Sequence, residues 1–229
     1  MNPTFLKQEA KQCVNGNRFV LLKPYLIIWI ISYLISGIFT FITMGQIGFD
    51  TLASFELEAA VDMISNSLTM TISSLLTTFI TSPLTYGLIL YYNQFEKEHY
   101  ADLNIVFSRF SNIIKIFVIT MFVNVLVTIG CMFLMVPGIV LACAFGIIPY
   151  VYSKHPELGI MDMISLAWKM MNGHKMEYLM LELSFFGWYL LGAFTCGIAL
   201  LWLLPYQQMT MVKYFNSIYD SYNNVANTI

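Results

Sequence analysis

Six apolar runs and eleven Lys and Arg residues alternate along this chain so that every cation falls on one side of a membrane. A spanning helix needs about 20 mainly apolar residues. The runs are Tyr25–Met44, Leu68–Tyr92, Ile113–Val136, Ile139–Tyr152, Tyr178–Cys196 and Ile198–Phe215. Lys7, Lys11, Arg18 and Lys23 precede the first run. Lys97, Arg109 and Lys115 lie between the second and the core of the third. Lys154, Lys169 and Lys175 precede the fifth, and Lys213 ends the sixth. The other three connections carry none. The first of these, Gly45 to Asp62, holds only acids: Asp50, Glu56, Glu58 and Asp62. The excess of Lys and Arg on cytoplasmic loops therefore places both termini in the cytoplasm. An odd number of crossings would break the pattern.

Composition agrees. The chain of 229 residues is 58% hydrophobic and only 10% charged, against about a quarter charged in soluble domains. A net charge of −2 argues against nucleic-acid binding, which needs a basic patch. The first run lacks a small-x-small cleavage site and reads as a retained helix, not a signal peptide.

The expected fold is all-α: a single polytopic membrane domain of six transmembrane helices in three hairpins, with amphipathic helices on the cytoplasmic surface. Pro137-Gly138 is expected to turn the third run into the fourth, and Cys196-Gly197 the fifth into the sixth, since short links force antiparallel neighbours. The fourth run is short, covering about 21 Å by helical rise. It must tilt, extend into its flanks, or cross incompletely.

Residues 1–23 are expected to hold a cytoplasmic amphipathic helix. It opens at Asn2-Pro3 and stops at Asn15-Gly16, with Leu6, Ala10, Cys13 and Val14 opposite Lys7, Gln8 and Lys11. A second occupies 159–172, where Asp162, Ser165, Lys169 and Asn172 face away from Ile160, Met163, Ile164, Ala167 and Met171. Such a helix suits a membrane interface or packs on the protein's own cytoplasmic face. Pro83 with Tyr86, Pro149-Tyr150 and Pro205-Tyr206 form a weak echo. It is either an internal repeat, as in transporters, or the ordinary frequency of proline in membrane helices.

Few residues can carry chemistry. From Ser65 to Thr85, eleven of 21 positions are Ser or Thr. Ser73, Thr77, Thr81 and Thr85 form one stripe, with Ser74, Thr78 and Ser82 beside it. They line a substrate path, or they bond carbonyls one turn back in a close helix contact. Pro83 interrupts the ladder there and is expected to kink the helix. Glu182 is the one acid well inside an apolar run, and a charge in the bilayer is a functional candidate by default. It lies about 7–10 Å past Lys175 by helical rise, so it can also reach the interface or pair with a base there. Gln207 and Gln208 follow Pro205 near mid-membrane, where unsatisfied amides are costly. They serve a ligand headgroup or lock helices together, with Asn124 as a potential partner. Seven residues thus form the candidate ligand site: Ser73, Thr77, Thr81, Thr85, Glu182, Gln207 and Gln208.

No cofactor motif and no metal spacing occurs. His99, His155 and His174 sit in loops without HExxH, and no GxSxG, P-loop or GxGxxG is present. His174 follows Gly173, where it can cap helix carbonyls. Cys13, Cys131, Cys143 and Cys196 lack CxxC spacing and read as free thiols, although Cys131 and Cys196 could both lie near the outer face. Trp29, Trp168, Trp188 and Trp202 suit interface anchoring.

The carboxy-terminal half resembles a known family. The residues that carry this are Met-Val-Pro-Gly-Ile-Val at 135–140, Ile-Pro-Tyr at 148–150 and His-Pro-Glu-Leu at 155–158. They continue through Ser-Leu-Ala-Trp-Lys-Met-Met-Asn-Gly-His-Lys at 165–175, Leu-Glu-Leu-Ser-Phe-Phe-Gly-Trp-Tyr-Leu-Leu at 181–191 and Gly-Ile-Ala-Leu-Leu-Trp-Leu-Leu-Pro-Tyr at 197–206. Together with Gly-Leu-Ile-Leu-Tyr-Tyr at 87–92 they resemble the domain-of-unknown-function 975 family, a group of multi-pass membrane proteins found largely in Gram-positive bacteria. The resemblance implies a six-helix integral protein of the cytoplasmic membrane and brings no catalytic residues. The chain departs from it at Cys143–Gly146 and at Gln207-Gln208.

Two functions follow as expectations. One is a non-enzymatic protein that handles or senses a lipid or amphipathic molecule. The other is an interaction protein, an accessory subunit or a protector against membrane-active peptides, with no internal site. An intramembrane enzyme is the weakest reading. A continuous polar path from the second helix to the sixth favours the first. A polar stripe facing lipid favours the second, because it needs a partner helix to cover it.

Overall fold

The computed structural model describes the backbone over residues 3–50, 56–133, 135–195 and 197–226, and side chains over 5–41, 67–133, 136–195 and 197–224. The acid side chains between Gly45 and Asp62, and Cys196, lie outside the described residues. Helices dominate, and no strand occurs among the described residues. They are α1 (Pro3–Val14), α2 (Arg18–Asp50), α3 (Glu56–Glu98), α4 (Asn104–Phe107) with a 3-10 turn at Ser108–Asn112, α5 (Ile113–Phe133), α6 (Met135–Phe145) and α7 (Ile148–Lys154). After them come α8 (Ile160–Met170), α9 (Lys175–Leu183), α10 (Phe186–Phe194) and α11 (Leu200–Ala226).

Four stretches are long and apolar enough to cross a membrane: Arg18–Phe41, Ser67–Glu98, Asn104–Phe133 and Val136–Lys154. They overlap the first four apolar runs. The first two runs sit inside far longer helices of 33 and 43 residues. The last two runs differ from expectation. The run 178–196 is broken at Ser184–Phe185, which separates α9 from α10. The nine residues of α10 rise only about 13 Å. The run 198–215 begins as a turn, and its helix starts at Leu200 and continues to Ala226.

Three boundaries also shift. Pro137-Gly138 is not the link between the third and fourth helices but lies in the first turn of α6, where proline's missing N–H has no helical partner to lose. The fourth run, 139–152, divides at Gly146-Ile147, and Pro149 opens α7. The amino-terminal helix keeps its expected ends, α1 stopping at Val14 before Gly16 at φ +92°, but α2 starts at Arg18, ahead of the first apolar run. Gly173, at φ +86°, turns the chain after α8 in the same left-handed conformation, which glycine adopts without a Cβ penalty.

The packed core lies at the cation-bearing end. One part joins Ala10 and Val14 of α1 to Leu84, Leu88 and Tyr92 of α3 and Met209 and Val212 of α11. The other joins Ile116 of α5, Ile148 and Tyr152 of α7, Met163 and Ala167 of α8, and Phe215 of α11. The opposite ends are bare: Phe41 and Phe133 are each 82% exposed and Phe194 is 85% exposed. Lipid tails are as apolar as these side chains, so no hydrophobic force drives them together there. Helix α8 buries Met163, Ala167 and Met170 against the protein itself, at the cation-bearing end of the bundle.

The proline-tyrosine echo does not repeat in three dimensions. Pro83 and Pro205 lie inside long helices, whereas Pro149 sits in the first turn of a short one.

Candidate functional site

Helix α11 carries two amides on successive residues, so they point in different directions, about 100° apart at 3.6 residues per turn. Each enters its own network. Gln207 donates through Nε2 to Glu182 Oε2 at 3.1 Å and accepts from the Tyr189 hydroxyl at Oε1. Glu182 Oε1 accepts from the Tyr178 hydroxyl at 3.1 Å. The carboxyl group is thus held between α9 and α11 by two donors. Among the described residues it pairs with no base.

Gln208 joins two other helices. Its Oε1 accepts from the Tyr25 hydroxyl at 3.1 Å, and its Nε2 donates to the Tyr150 hydroxyl at 3.2 Å. This ties α11 to α2 and α7. Ring contacts extend the cluster: Tyr150 lies 4.2 Å from Phe215, and Tyr178 lies 5.5 Å from the same ring. Asn124 belongs to neither network, contrary to its expected role.

The hydroxyl stripe of α3 sits elsewhere. Thr81 donates to the Thr77 carbonyl at 2.7 Å, Thr85 to that of Thr81 at 2.6 Å, and Thr78 to that of Ser74 at 2.8 Å. Ser73 and Thr77 are half-buried and Thr85 is exposed. The structure therefore divides the seven candidates: Glu182, Gln207 and Gln208 come together, while Ser73, Thr77, Thr81 and Thr85 stay on α3, where the Thr81 and Thr85 hydroxyls bond their own helix.

Part of the α3 surface forms an outward groove with α5. Ser74, Thr78, Asn124 and Thr128 line it, with a volume of about 330 Å³. The Thr128 hydroxyl donates to the backbone carbonyl of Asn124 at 2.7 Å. The exposed Asn124 amide makes no hydrogen bond among the described residues. It lies about 13 Å along α5 from Lys115 by helical rise, in the middle of a membrane-length helix.

Two polar groups at the charged end went unforeseen. Lys213 pairs with Glu96 at 3.4 Å and with Glu9 at 3.9 Å. Asn216 donates to Asn93 Oδ1 at 3.0 Å and to Glu96. This cluster bolts α1, α3 and α11 together beside a groove of about 440 Å³. The signal in the sequence was Lys213, the lone cation at the end of the last apolar run. The second is a pair of short histidine bonds. His155 meets Tyr219 at 2.7 Å and Glu157 at 3.0 Å. His174 bonds Glu177 at 2.9 Å across the start of α9, while its backbone N–H donates to the carbonyl of Met171, just past α8, at 3.1 Å. The bond between the two side chains is the main reason the Glu177 carboxyl titrates below the usual carboxylate range.

Cys13, Cys131 and Cys143 are free thiols; of these Cys143 is buried and Cys131 exposed. Among the described residues, no three His, Cys, Asp or Glu side chains gather in a way that could hold a metal ion.

A third groove, of about 330 Å³, lies between the α1–α2 turn and the α10–α11 hairpin. Lys11 and Arg18 stand on one wall, and Trp188 and Trp202 on the other.

No curated protein and no solved structure matches this chain. Residues 125–221 match the family model described as "Protein of unknown function (DUF975)". That segment runs from the middle of α5 into α11 and contains Glu182, Gln207, Gln208 and their tyrosine partners except Tyr25. Over that segment the chain is similar to the DUF975 family.

Proposed function

We propose that this is a multi-pass protein of the cytoplasmic membrane, with both termini in the cytoplasm, that works as an interaction protein by docking a partner's transmembrane helix. The observation that carries this is the outward amide of Asn124. In hydrocarbon an unsatisfied polar group costs several kcal/mol, about as much as a lost hydrogen bond in an apolar medium. The hydroxyls around it are small and already bonded to their own backbone, so a partner backbone can approach closely, as small-residue helix contacts do. A helix laid in the α3–α5 groove would supply the missing bonds.

Amphiphile handling through the α3 stripe is less well supported. It needs a continuous path from the stripe to Gln207 and Gln208, but those amides are taken by tyrosines and Glu182, and the stripe faces outward. Its expected ligand site therefore separates into an interhelix lock and a stripe on α3 that lies beside the docking groove, not in it.

We also propose a revised threading. Gln208 is level with Tyr25, just past Lys23 at the cytoplasmic end of α2. From Gln208 back to Leu200, α11 rises about 12 Å, under half of a hydrocarbon core about 30 Å thick. Four stretches would then cross, and the α10–α11 hairpin would dip in from the cytoplasmic side.

Native mass spectrometry from gentle detergent tests the docking. The wild-type chain should retain a second polypeptide, and Asn124→Leu should lose it without loss of its own fold, since Asn124 is exposed. A bare monomer in both would overturn the proposal, whereas a retained second copy of the chain would identify the partner as itself.

A further inference from the structure

We infer that the groove between the α1–α2 turn and the α10–α11 hairpin is a site for one anionic phospholipid of the cytoplasmic leaflet. The inference rests on the proposed orientation of the chain and is independent of helix docking at Asn124.

The polar wall is built by a turn. Gly16, with φ +92°, lets the chain reverse between α1 and α2, so that Lys11 in the last turn of α1 and Arg18 at the start of α2 line one cavity. Arg18 donates through Nη2 to Asn15 Oδ1 at 2.8 Å, which holds the guanidinium in place and leaves most of its donors free. Neither Lys11 nor Arg18 pairs with a carboxylate among the described residues: Glu9 and Glu96 are taken by Lys213, and Glu157 and Glu177 by histidines. Two uncompensated cations 7 positions apart in sequence thus face the same space.

The opposite wall is aromatic. Trp188 and Trp202 are each about half exposed and are joined by Tyr206. Beyond them, toward its tip, the hairpin presents the exposed Phe194, which suits an acyl chain and not water. Indole rings favour the level of the headgroups. Arginine matches a phosphate with paired N–H donors, and the cytoplasmic leaflet carries the anionic lipids that basic residues attract. A volume of about 330 Å³ falls at the lower end of the range of ligand pockets, roughly 300–1,000 Å³. It fits a phosphate headgroup and the first part of a chain, with the remainder lying along the hairpin. Charge selects against a zwitterionic lipid, whose ammonium would meet Lys11 and Arg18.

Such a lipid would brace the hairpin. Helix α10 is short and meets lipid on most of its surface, so a headgroup clamped by α1 and α2 would couple the hairpin to the amino-terminal helices.

The test uses the full chain in phosphatidylcholine nanodiscs containing a minor fraction of brominated lipid, with Trp29 and Trp168 changed to Phe so that emission reports on Trp188 and Trp202. Brominated phosphatidylglycerol should quench more strongly than brominated phosphatidylcholine at the same fraction. The preference should fall about fivefold for each cation removed in Lys11→Gln and Arg18→Gln. Lys23→Gln, which removes an exposed cation outside the groove, should keep it. Equal quenching by the two lipids would overturn the site. So would an equal loss in Lys23→Gln, because that result would mean diffuse attraction to the basic face. Far-ultraviolet circular dichroism of each variant separates loss of the site from loss of the fold, and a variant that retains its helix and its preference also counts against the assignment.

Discussion

Gln207 joins α9, α10 and α11 through its side chain. It gives one hydrogen bond to Glu182 and takes one from Tyr189, so it satisfies a carboxyl group and a phenol at once. Replacing it with Leu removes both bonds without changing the size of the side chain much. It leaves Glu182 with only Tyr178. An uncompensated partner of a hydrogen bond to a charged group costs about 1–3 kcal/mol. Gln207→Leu should therefore lower the thermal midpoint in detergent clearly. Glu182→Gln, which keeps an acceptor for Tyr178, should lower it less. Equal midpoints for wild type and Gln207→Leu would mean that the network contributes nothing to stability. The sequence pointed to Glu182 and Gln207 one at a time, because an acid or an amide in an apolar run is conspicuous. It could not pair them. Their tyrosine partners are ordinary members of a chain with 14 Tyr, and nothing in the spacing distinguishes Tyr178 from the rest.

At the scale of elements, the apolar runs marked where helices lie but not where they stop. Helix α3 continues well past its apolar run to Glu98, because Tyr91, Tyr92 and Phe95 are buried among α1, α2 and α11 and tertiary contact extends the helix beyond its membrane portion. The break between α9 and α10 has no proline or glycine to announce it. Instead Lys7 of α1 donates to Ser184 there and stacks over Phe185 at 4.5 Å, a contact that only the fold reveals. Gly87 shows how tightly α3 meets α4. A Cβ at this position would fall on the backbone carbonyl oxygen of Val106. Alanine favours a helix over glycine by about 1 kcal/mol. Displacing a backbone carbonyl from a packed contact costs about 1–3 kcal/mol, so the clash wins. Gly87→Ala should lower the thermal midpoint, while Gly37→Ala, with nothing within 4 Å, should not. A rise in Gly87→Ala would show that α4 moves aside freely.

For the whole molecule, the cation pattern constrains less than its regularity suggests. It counts the sides on which connections lie, and a hairpin that enters and leaves on one face has the same count as one that crosses fully. That is why six crossings and four crossings with a short hairpin fit the same eleven cations. Only helix lengths and cross-helix levels separate them: the break at Ser184–Phe185, the nine residues of α10, and the bond between Gln208 and Tyr25. Thiol labelling can decide. Cys131 is exposed at the far end of α5, and as the sole cysteine it should react with a membrane-impermeant maleimide added outside intact cells. Ile198 is exposed at the tip of the α10–α11 hairpin. As the sole thiol, Ile198→Cys should stay unlabelled from outside, because a tip at about half the depth of a 30 Å core is surrounded by hydrocarbon. After the bilayer is dissolved it should react fully. Labelling from outside as complete as that of Cys131 would mean that the hairpin crosses, restore six crossings, and move Gln207 and Gln208 to a level where the short helix α10 would have to draw the outer leaflet inward to meet it.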